Sequence, residues 1–438
     1  MNILMFTNTY RPIVGGVSES VQRHKSRLQE QGHRVMVVAP KMDGQPPHES
    51  DVARVAAVQH FNGSDFSLPV PIPGQLSDAI EAFEPDVVHS HHPFLLGDTA
   101  ARAANTYGLP LIFTHHTLYE HYTHYVPGDS PRMQRFAVAL STEYTRLCDA
   151  VIAPSESIRD LLVRRGVRPE VTVVPSGVDT GKFALGDGKR LHRALGIPDD
   201  AYVIGHVGRL AHEKNLPFLA RVAAETLRRE PLAHFLVVGD GDARPAMERA
   251  AEQAGVAERF HFTGRLQGQA LIDAYHAMHV FAFASHSETQ GMVLVEAMAA
   301  GLPVVAIEAP GVREVVSDGV NGRLLANDDE PGMVDALTEL ADLERQLTLQ
   351  QAAWRTAQEF EESLCTSRCL EVYRRAIADG PSRQDDVSGW ERVRARLEAE
   401  WSLLRHRGRV LRSMLQEPQQ DGTTGYPTLD DETRLSPK

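Results

Sequence analysis

Two carboxylates, Glu288 and Glu296, stand with seven residues between them, on either side of Gly291. Acceptors so placed suit the hydroxyls of a sugar. Two cations, Arg209 and Lys214, follow Gly208 and lie five residues apart, a pattern suited to a diphosphate. Breaking a bond between a sugar and a nucleotide diphosphate builds positive charge on the sugar and negative charge on the departing phosphates. Such a site needs cations or helix N-termini at the phosphates and hydrogen-bond acceptors around the sugar. Gly291 opens the apolar stretch Met292 to Ala300, so backbone N–H groups beside it can point at a diphosphate. At 100° per residue the two glutamates would be about 80° apart if both were helical. Glu288 therefore belongs to the loop, and the two acids have different tasks.

The loop Tyr10 to Ser18 carries Gly15 and Gly16, which let backbone approach a ligand closely. The full dinucleotide fingerprint is missing, which argues against a nicotinamide site. Phe113-Thr114-His115-His116-Thr117 ends another apolar run and turns a histidine toward the same cleft. His89, His91 and His92 add a histidine-rich neighbour, but no spacing there compels zinc. Asp240-Gly241-Asp242 has the spacing of a metal-binding pair, yet it follows a strand and reads as a glycine turn. No metal and no cofactor are expected, since Arg209, Lys214 and helix termini can neutralise the phosphates.

The paired glutamates, followed by Ala297-Met298-Ala299-Ala300-Gly301-Leu302-Pro303-Val304-Val305, resemble the signature of family-four retaining GT-B glycosyltransferases. The resemblance implies that Glu288 contacts the donor sugar and Glu296 the nucleotide ribose, with Thr289, Gln290, Gly291, Met292 and Val293 beside them in the donor site. It assigns Arg209 and Lys214 to the donor phosphates, and Gly208 to the turn that presents them. Gly15 and Gly16 would lie opposite those phosphates. By its place before Thr117, His116 matches the family's active-site histidine, and His115 is the weaker match. No carboxylate stands out as a nucleophile beneath the anomeric carbon, so front-face attack is the expected route to retention.

The loop Thr117 to Pro127 packs three tyrosines and two histidines together: Tyr119, His121, Tyr122, His124 and Tyr125. These side chains suit stacking and hydrogen bonding to a sugar or a lipid headgroup. This loop and the Ser-Glu-Thr-Gln-Gly form of the glutamate motif are similar to the bacterial diacylglycerol glucosyltransferases of the family. UDP-glucose is the donor this favours, and diacylglycerol or a glycolipid the acceptor; a soluble small molecule or saccharide is the alternative. A different class, a nucleotide-sugar-binding or membrane-adaptor protein without catalysis, would be marked by loss of Glu288, Arg209, Lys214 or His116. All four are present.

Positioning these residues requires a scaffold. Strand-length apolar runs at Ile3–Phe6, Val35–Val38, Val87–His89, Leu111–Phe113 and Val151–Ala153 alternate with helical stretches such as Val17–Gln31 and Phe94–Tyr107. The rhythm restarts at Tyr202, with strands at Val203–Val207, His234–Val238, Phe260–Thr263, Val280–Phe283 and Pro303–Ile307. It predicts an α/β protein of two Rossmann-like doubly wound domains facing a cleft, which is the GT-B arrangement that the resemblance implies, plus a C-terminal helical appendage. The acceptor domain is read at 1–178 and the donor domain at 179–350. One long helix from about 350 to 377 falls in a segment 351–380 that crosses back to the first domain. Residues 381–438 hold an amphipathic stripe, Trp390, Val393, Leu397, Trp401, Leu404, Leu411 and Met414, backed by seven arginines, and then a tail expected to be disordered.

Length and composition agree with this division. The 438 residues exceed what one core supports, and 42% hydrophobic with 24% charged residues is ordinary for a globular chain. A net charge of −13 argues against nucleic acid as a partner. Three cysteines, two of them one helical turn apart, fit a reducing compartment, and no apolar run is long enough to span a bilayer. The expectation is a cytoplasmic protein. The helix at 390–415 would serve either peripheral membrane contact, at the inner face of the cell membrane, or self-association.

Overall fold

A computed structural model of the chain describes residues 1–13, 15–47, 49–59, 67–70, 76–120, 130–286, 288–326 and 329–381. They belong to one compact unit, Met1–Asp385; the stripe at 390–415 and the tail lie outside the described residues.

The first half runs β1 (Asn2–Phe6), α1 (Gly16–Glu30), β2 (Arg34–Pro40), β3 (Val52–Val55), β4 (Ala57–Val58), β5 (Leu68–Pro69), α2 (Ser77–Phe83), β6 (Val87–Ser90), α3 (Leu96–Thr106), β7 (Leu111–Thr114), α4 (Pro131–Thr145), β8 (Ala150–Ala153), α5 (Glu156–Arg164) and β9 (Val171–Val173). The second runs α6 (Thr180–Phe183), α7 (Gly188–Leu195), β10 (Tyr202–Val207), α8 (Leu216–Arg229), β11 (Ala233–Val238), α9 (Arg244–Gln253), β12 (Phe260–Gly264), α10 (Gln269–His276), β13 (Val280–Phe283), α11 (Met292–Ala299), β14 (Val304–Ile307), β15 (Gly322–Leu325), α12 (Glu330–Glu339), α13 (Leu343–Gln358) and α14 (Glu362–Asp379).

Two parallel sheets result, ordered β3-β2-β1-β6-β7-β8-β9 and β12-β11-β10-β13-β14-β15; β4 and β5 pair as a separate antiparallel ribbon. Helices cover both faces of each sheet, so the central strands are buried throughout and read as unbroken apolar runs: Ile3 to Phe6 and Val280 to Phe283 are each no more than 2% exposed. In each sheet the strand order reverses once, between β1 and β6 and between β10 and β13. Open α/β sheets bind ligands beyond the carboxyl ends of the strands at such reversals. Gly15 and Gly16 follow β1, Gly208 and Arg209 follow β10, and Glu288 follows β13.

Two features depart from the sequence reading. The expected continuous helix over 350–377 is two helices, α13 and α14, broken at Glu359–Glu361. There the Phe360 carbonyl accepts from the Val178 N–H at 2.9 Å, and the Glu362 N–H donates to the Val178 carbonyl at 3.1 Å. The crossover from the first half thus takes up backbone groups that a continuous helix would bond internally. Beyond the break α14 packs onto the first half, with Cys369, Leu370, Val372 and Tyr373 in the same core as Ile3, Met5, Val87 and Ile112. The second departure is at the sheet edges, where β3, β9 and β15 were not expected; Val-Ala-Arg-Val and Gly-Arg-Leu-Leu lack the apolar continuity of the centre.

Candidate active site

In the second half, the chain leaving β10 and the chain leaving β13 meet at one ion pair, from the Lys214 ammonium to Oε1 of Glu288. Arg209 pairs with Glu213 and keeps its side chain 47% exposed, in reach of a ligand. The backbone under these cations is braced by the Gly239-Asp240-Gly241 turn. Leu210 N–H donates to the Asp240 carbonyl at 3.0 Å, and a Cβ on Gly239 would stand 1.8 Å from the Gly208 carbonyl oxygen, so only glycine fits. The Asp240 carboxylate accepts from the Gly241 N–H at 2.9 Å, the local bond of a turn. Among the described residues no group of three or more His, Cys, Asp and Glu is arranged to hold a metal ion.

Gly291 caps α11 with φ of 73°, a left-handed conformation that directs the chain from the Glu288 loop into the helix. The Glu288 carbonyl accepts from Gly311 N–H at 3.2 Å, which fixes the loop from its other side. Its neighbours are used for anchoring. Gln290 is buried and bonds Ser176 twice, accepting from its N–H at 2.9 Å and donating to its carbonyl at 3.0 Å. Ser155 Oγ donates to the Thr289 carbonyl at 2.7 Å, while Met292 and Val293 pack against the core. The side chain of Gln290 is thus spent on the link between the halves.

Glu296 lies on α11, largely buried. Its carboxylate accepts from Arg23 Nη2 at 2.9 Å and from the Tyr275 hydroxyl at 3.0 Å. Arg23 comes from α1 of the first half. One turn further along α1, Arg27 pairs with Glu362 and with Asp179, the latter at 2.8 Å. Neither Arg23 nor Tyr275 carried a local motif in the sequence; only the packing of α1 and α10 brings them to Glu296.

On the first half, a Cβ on Gly15 or Gly16 would meet nothing within 4 Å, so packing demands neither glycine and the space above them is open. His116, half-buried, sets Nε2 2.9 Å from Nδ1 of His91, and the two rings stack at 5.2 Å. His89 is held between the Tyr373 hydroxyl at 2.6 Å and Thr114 Oγ1 at 2.7 Å, with its ring 4.1 Å from that of His91. Burial lowers the pKa of each: His116 to about 3, His89 and His91 well below the ordinary histidine value. The cluster is a neutral hydrogen-bonding surface. His115, by contrast, is fully buried against Phe113 and Tyr119 and faces away from solvent.

Tyr119, expected to meet an acceptor, turns its ring onto Phe94 at 5.3 Å, and its buried hydroxyl has no partner among the described residues. Ring packing against Phe94 and His115 holds this tyrosine. His121, Tyr122, His124 and Tyr125 lie outside the described residues.

Two Rossmann-like halves, with cations, a carboxylate and a helix N-terminus at one reversal and a histidine cluster beside the other, fit a nucleotide-sugar transferase of GT-B type. The chain belongs to family four of the glycosyltransferases: residues 14–182 match Glycosyltransferase Family 4, and residues 201–342 match Glycosyl transferases group 1. Among its relatives, an alpha-monoglucosyldiacylglycerol synthase of Streptococcus pneumoniae is 30% identical over 333 residues, covering 74% of this chain and 75% of the relative. A GDP-mannose-dependent alpha-mannosyltransferase of Mycobacterium tuberculosis is 32% identical over 354 residues, covering 78% and 88%. The crystal structure of Anabaena HepE in complex with UDP-glucose superposes with a TM-score of 0.67 over 85% of this chain and 99% of that one, at 20% identity. Among the described residues no helix is long and apolar enough to cross a membrane.

Proposed function

We propose that the protein is a retaining, metal-independent hexosyltransferase that moves glucose from UDP-glucose to a hydroxyl of diacylglycerol or a glycolipid, working as a peripheral protein at the inner face of the cell membrane. The observation that carries the reading is the Lys214–Glu288 pair at the second sheet's reversal, with Arg209 beside it and Gly291 opening α11. Glu288 would leave Lys214 to accept hydrogen bonds from the sugar hydroxyls, and Glu296 would do so for the ribose. Lys214, Arg209 and the N–H groups at the start of α11 would bind the diphosphate. Their charge supplies what a divalent cation would otherwise give.

In front-face transfer the bond from the anomeric carbon to the leaving phosphate oxygen breaks as the acceptor oxygen bonds to the same face. The acceptor proton passes to that phosphate oxygen, so the anomeric configuration is kept and no covalent sugar–enzyme species forms. His116, neutral and held by His91, would donate or accept a hydrogen bond at the transferred sugar and the acceptor. The choice of UDP-glucose and a lipid acceptor rests on the diacylglycerol-like loop motif and on the Streptococcus relative's name. The mannosyltransferase relative makes GDP-mannose the rival donor.

The test is transfer from labelled UDP-glucose, UDP-galactose and GDP-mannose, with and without diacylglycerol vesicles, and NMR of the product. UDP-glucose consumed only with vesicles, giving an α-linked lipid, is the expected result. An inverted product overturns the retaining mechanism. Full activity in a folded Glu288→Ala or Lys214→Ala variant overturns the site.

A further inference from the structure

The strand that delivers Arg209 and Lys214 carries a histidine where its neighbours are apolar. His206 is 1% exposed, on β10, next to the strand end. Its ring stacks near Phe281 and Phe283, with centroids 6.2 and 6.1 Å apart and planes within 26°. Nδ1 lies 3.1 Å from the Ala282 carbonyl oxygen, and a carbonyl only accepts, so Nδ1 carries the proton. The ring is neutral, since burial above all lowers its pKa to about 4. Nε2 is then a bare acceptor, and among the described residues it has no partner.

A buried, unpaired acceptor beside two phenylalanine rings is a cost that a third phenylalanine would avoid. Its position says what it is for. A Cβ on Gly208 would stand 3.5 Å from Nε2, so the lone pair lies under the turn that presents Arg209. The charges of Lys214 and Glu288 both reach the ring. Those two hold each other. A sugar whose hydroxyls donate to Glu288 competes with the lysine for that carboxylate.

We propose that His206 is a positioning residue for Lys214: its Nε2 accepts an N–H of the Lys214 ammonium once the donor sugar draws Glu288 away, and so keeps the lysine aimed at the diphosphate. A neutral acceptor suits that place. It holds the ammonium without cancelling the charge that the phosphates need, as a carboxylate would. The inference rests on the reading of Lys214 and Glu288 as donor-site residues.

The test compares the full-length protein with His206→Phe, which keeps the aromatic packing and loses both nitrogens, and His206→Gln, which restores an acceptor. Calorimetric titration with UDP and UDP-glucose, and in parallel with GDP and GDP-mannose, is read beside thermal melting. His206→Phe should melt no lower than the parent and bind the nucleotide diphosphate as the parent does. It should lose about tenfold in affinity for the nucleotide sugar, the worth of one hydrogen bond to a charged group. His206→Gln should recover part of the loss, and in a Lys214→Ala background His206→Phe should cost nothing more. Unchanged nucleotide-sugar affinity in His206→Phe, or equal losses for diphosphate and sugar nucleotide with a lowered melting temperature, overturns the proposal. If Glu288→Gln also binds the sugar nucleotide like the parent, or the parent binds none of the four ligands, the reading of the site fails instead.

Discussion

Arg23 and Glu296 join the two halves of the molecule: a guanidinium from the first helix reaches 2.9 Å across to a carboxylate on α11, whose other oxygen accepts from the Tyr275 hydroxyl. Glu296 has an 8% exposed side chain and Arg23 a 28% exposed one, so the acid depends on the base more than the reverse. Arg23→Met should cost about 1–3 kcal/mol, below the figure for a fully buried pair because Arg23 keeps some water. If Glu296 takes the ribose, that ribose competes with Arg23 for one carboxylate. Arg23→Met should then bind UDP at least as tightly as the parent despite its lower melting temperature, and Glu296→Ala should bind it more weakly. Calorimetry and melting curves on both variants decide this; weaker UDP binding in Arg23→Met alone would remove Glu296 from the ribose.

The Lys214–Glu288 pair carries a prediction about rate. If Lys214 faces the departing phosphates as proposed, Lys214→Ala removes a cation from the charge that develops there, and loss of one such group costs on the order of 100-fold in kcat. Glu288→Gln keeps the shape and loses the charge, and should lower kcat by a similar order. Steady-state rates of donor consumption measure both. A variant with raised KM and unchanged kcat would mean that its residue binds ground state and transition state equally.

The strands that carry this pair were plain in the sequence because β10 and β13 are buried on both faces, which makes them continuous apolar runs ending in glycine or serine. The edges were not: Arg54 and Arg323 interrupt β3 and β15, whose half-buried positions do not require apolar continuity. Side-chain partners were less visible still. Gln290 sits inside the donor motif yet bonds Ser176, 114 positions away in the chain, and no local pattern reports so distant a partner. Phe360 looks helical from its neighbours, but Val178 takes its carbonyl. His206 was missed because one polar residue in an apolar strand does not change the strand's period.

The buried histidines fix how stability depends on pH. Burial above all lowers His24 and His115 to about 4 and His92 and His116 to about 3, while the unfolded chain keeps the ordinary value near 6.5. Below pH 6.5 the unfolded chain therefore binds protons that the folded chain refuses. Stability is full above about pH 6.5 and falls as pH drops toward the folded values, each such histidine contributing about 1.4 kcal/mol per pH unit once its unfolded form is protonated. Between pH 6.5 and 5.5 unfolded carboxylates are still ionised, so that window isolates the histidines. Melting temperatures should decline steeply across it; a flat profile would mean the imidazoles are protonated in the folded protein.

His91 should matter to catalysis through His116. With Nδ1 of His91 2.9 Å from Nε2 of His116, one proton is shared and the orientation of the second ring is set by the first. His91→Phe keeps the stacking and removes that bond; kcat should fall about tenfold with donor KM little changed, as expected for a residue that aims another. His91→Asn places a polar atom where Nδ1 stood and should restore part of the rate. Equal losses in both variants, with lowered melting temperatures, would mean that His91 is there for packing.

Across the same cleft Glu314 caps a helix that belongs to the other half. Its two carboxylate oxygens accept from the Glu156 N–H at 2.7 Å and the Ser157 N–H at 2.5 Å, at the start of α5, where the helix's partial positive charge favours an anion. Ser157 Oγ adds a bond to the Pro310 carbonyl at 3.1 Å, and Ser155 Oγ holds Thr289, the residue after Glu288. The position of α5 is thereby transmitted to the donor loop through two short links. Glu314→Ala leaves two helix N–H groups without their acceptor and should cost about 1 kcal/mol of stability. Because the Glu288 loop loses part of its brace, the donor KM should rise in Glu314→Ala more than in Ser157→Ala, which keeps both carboxylate bonds. Steady-state titration of the donor in the two variants checks the order, and a larger KM effect in Ser157→Ala would assign the link to the hydroxyl rather than to the carboxylate.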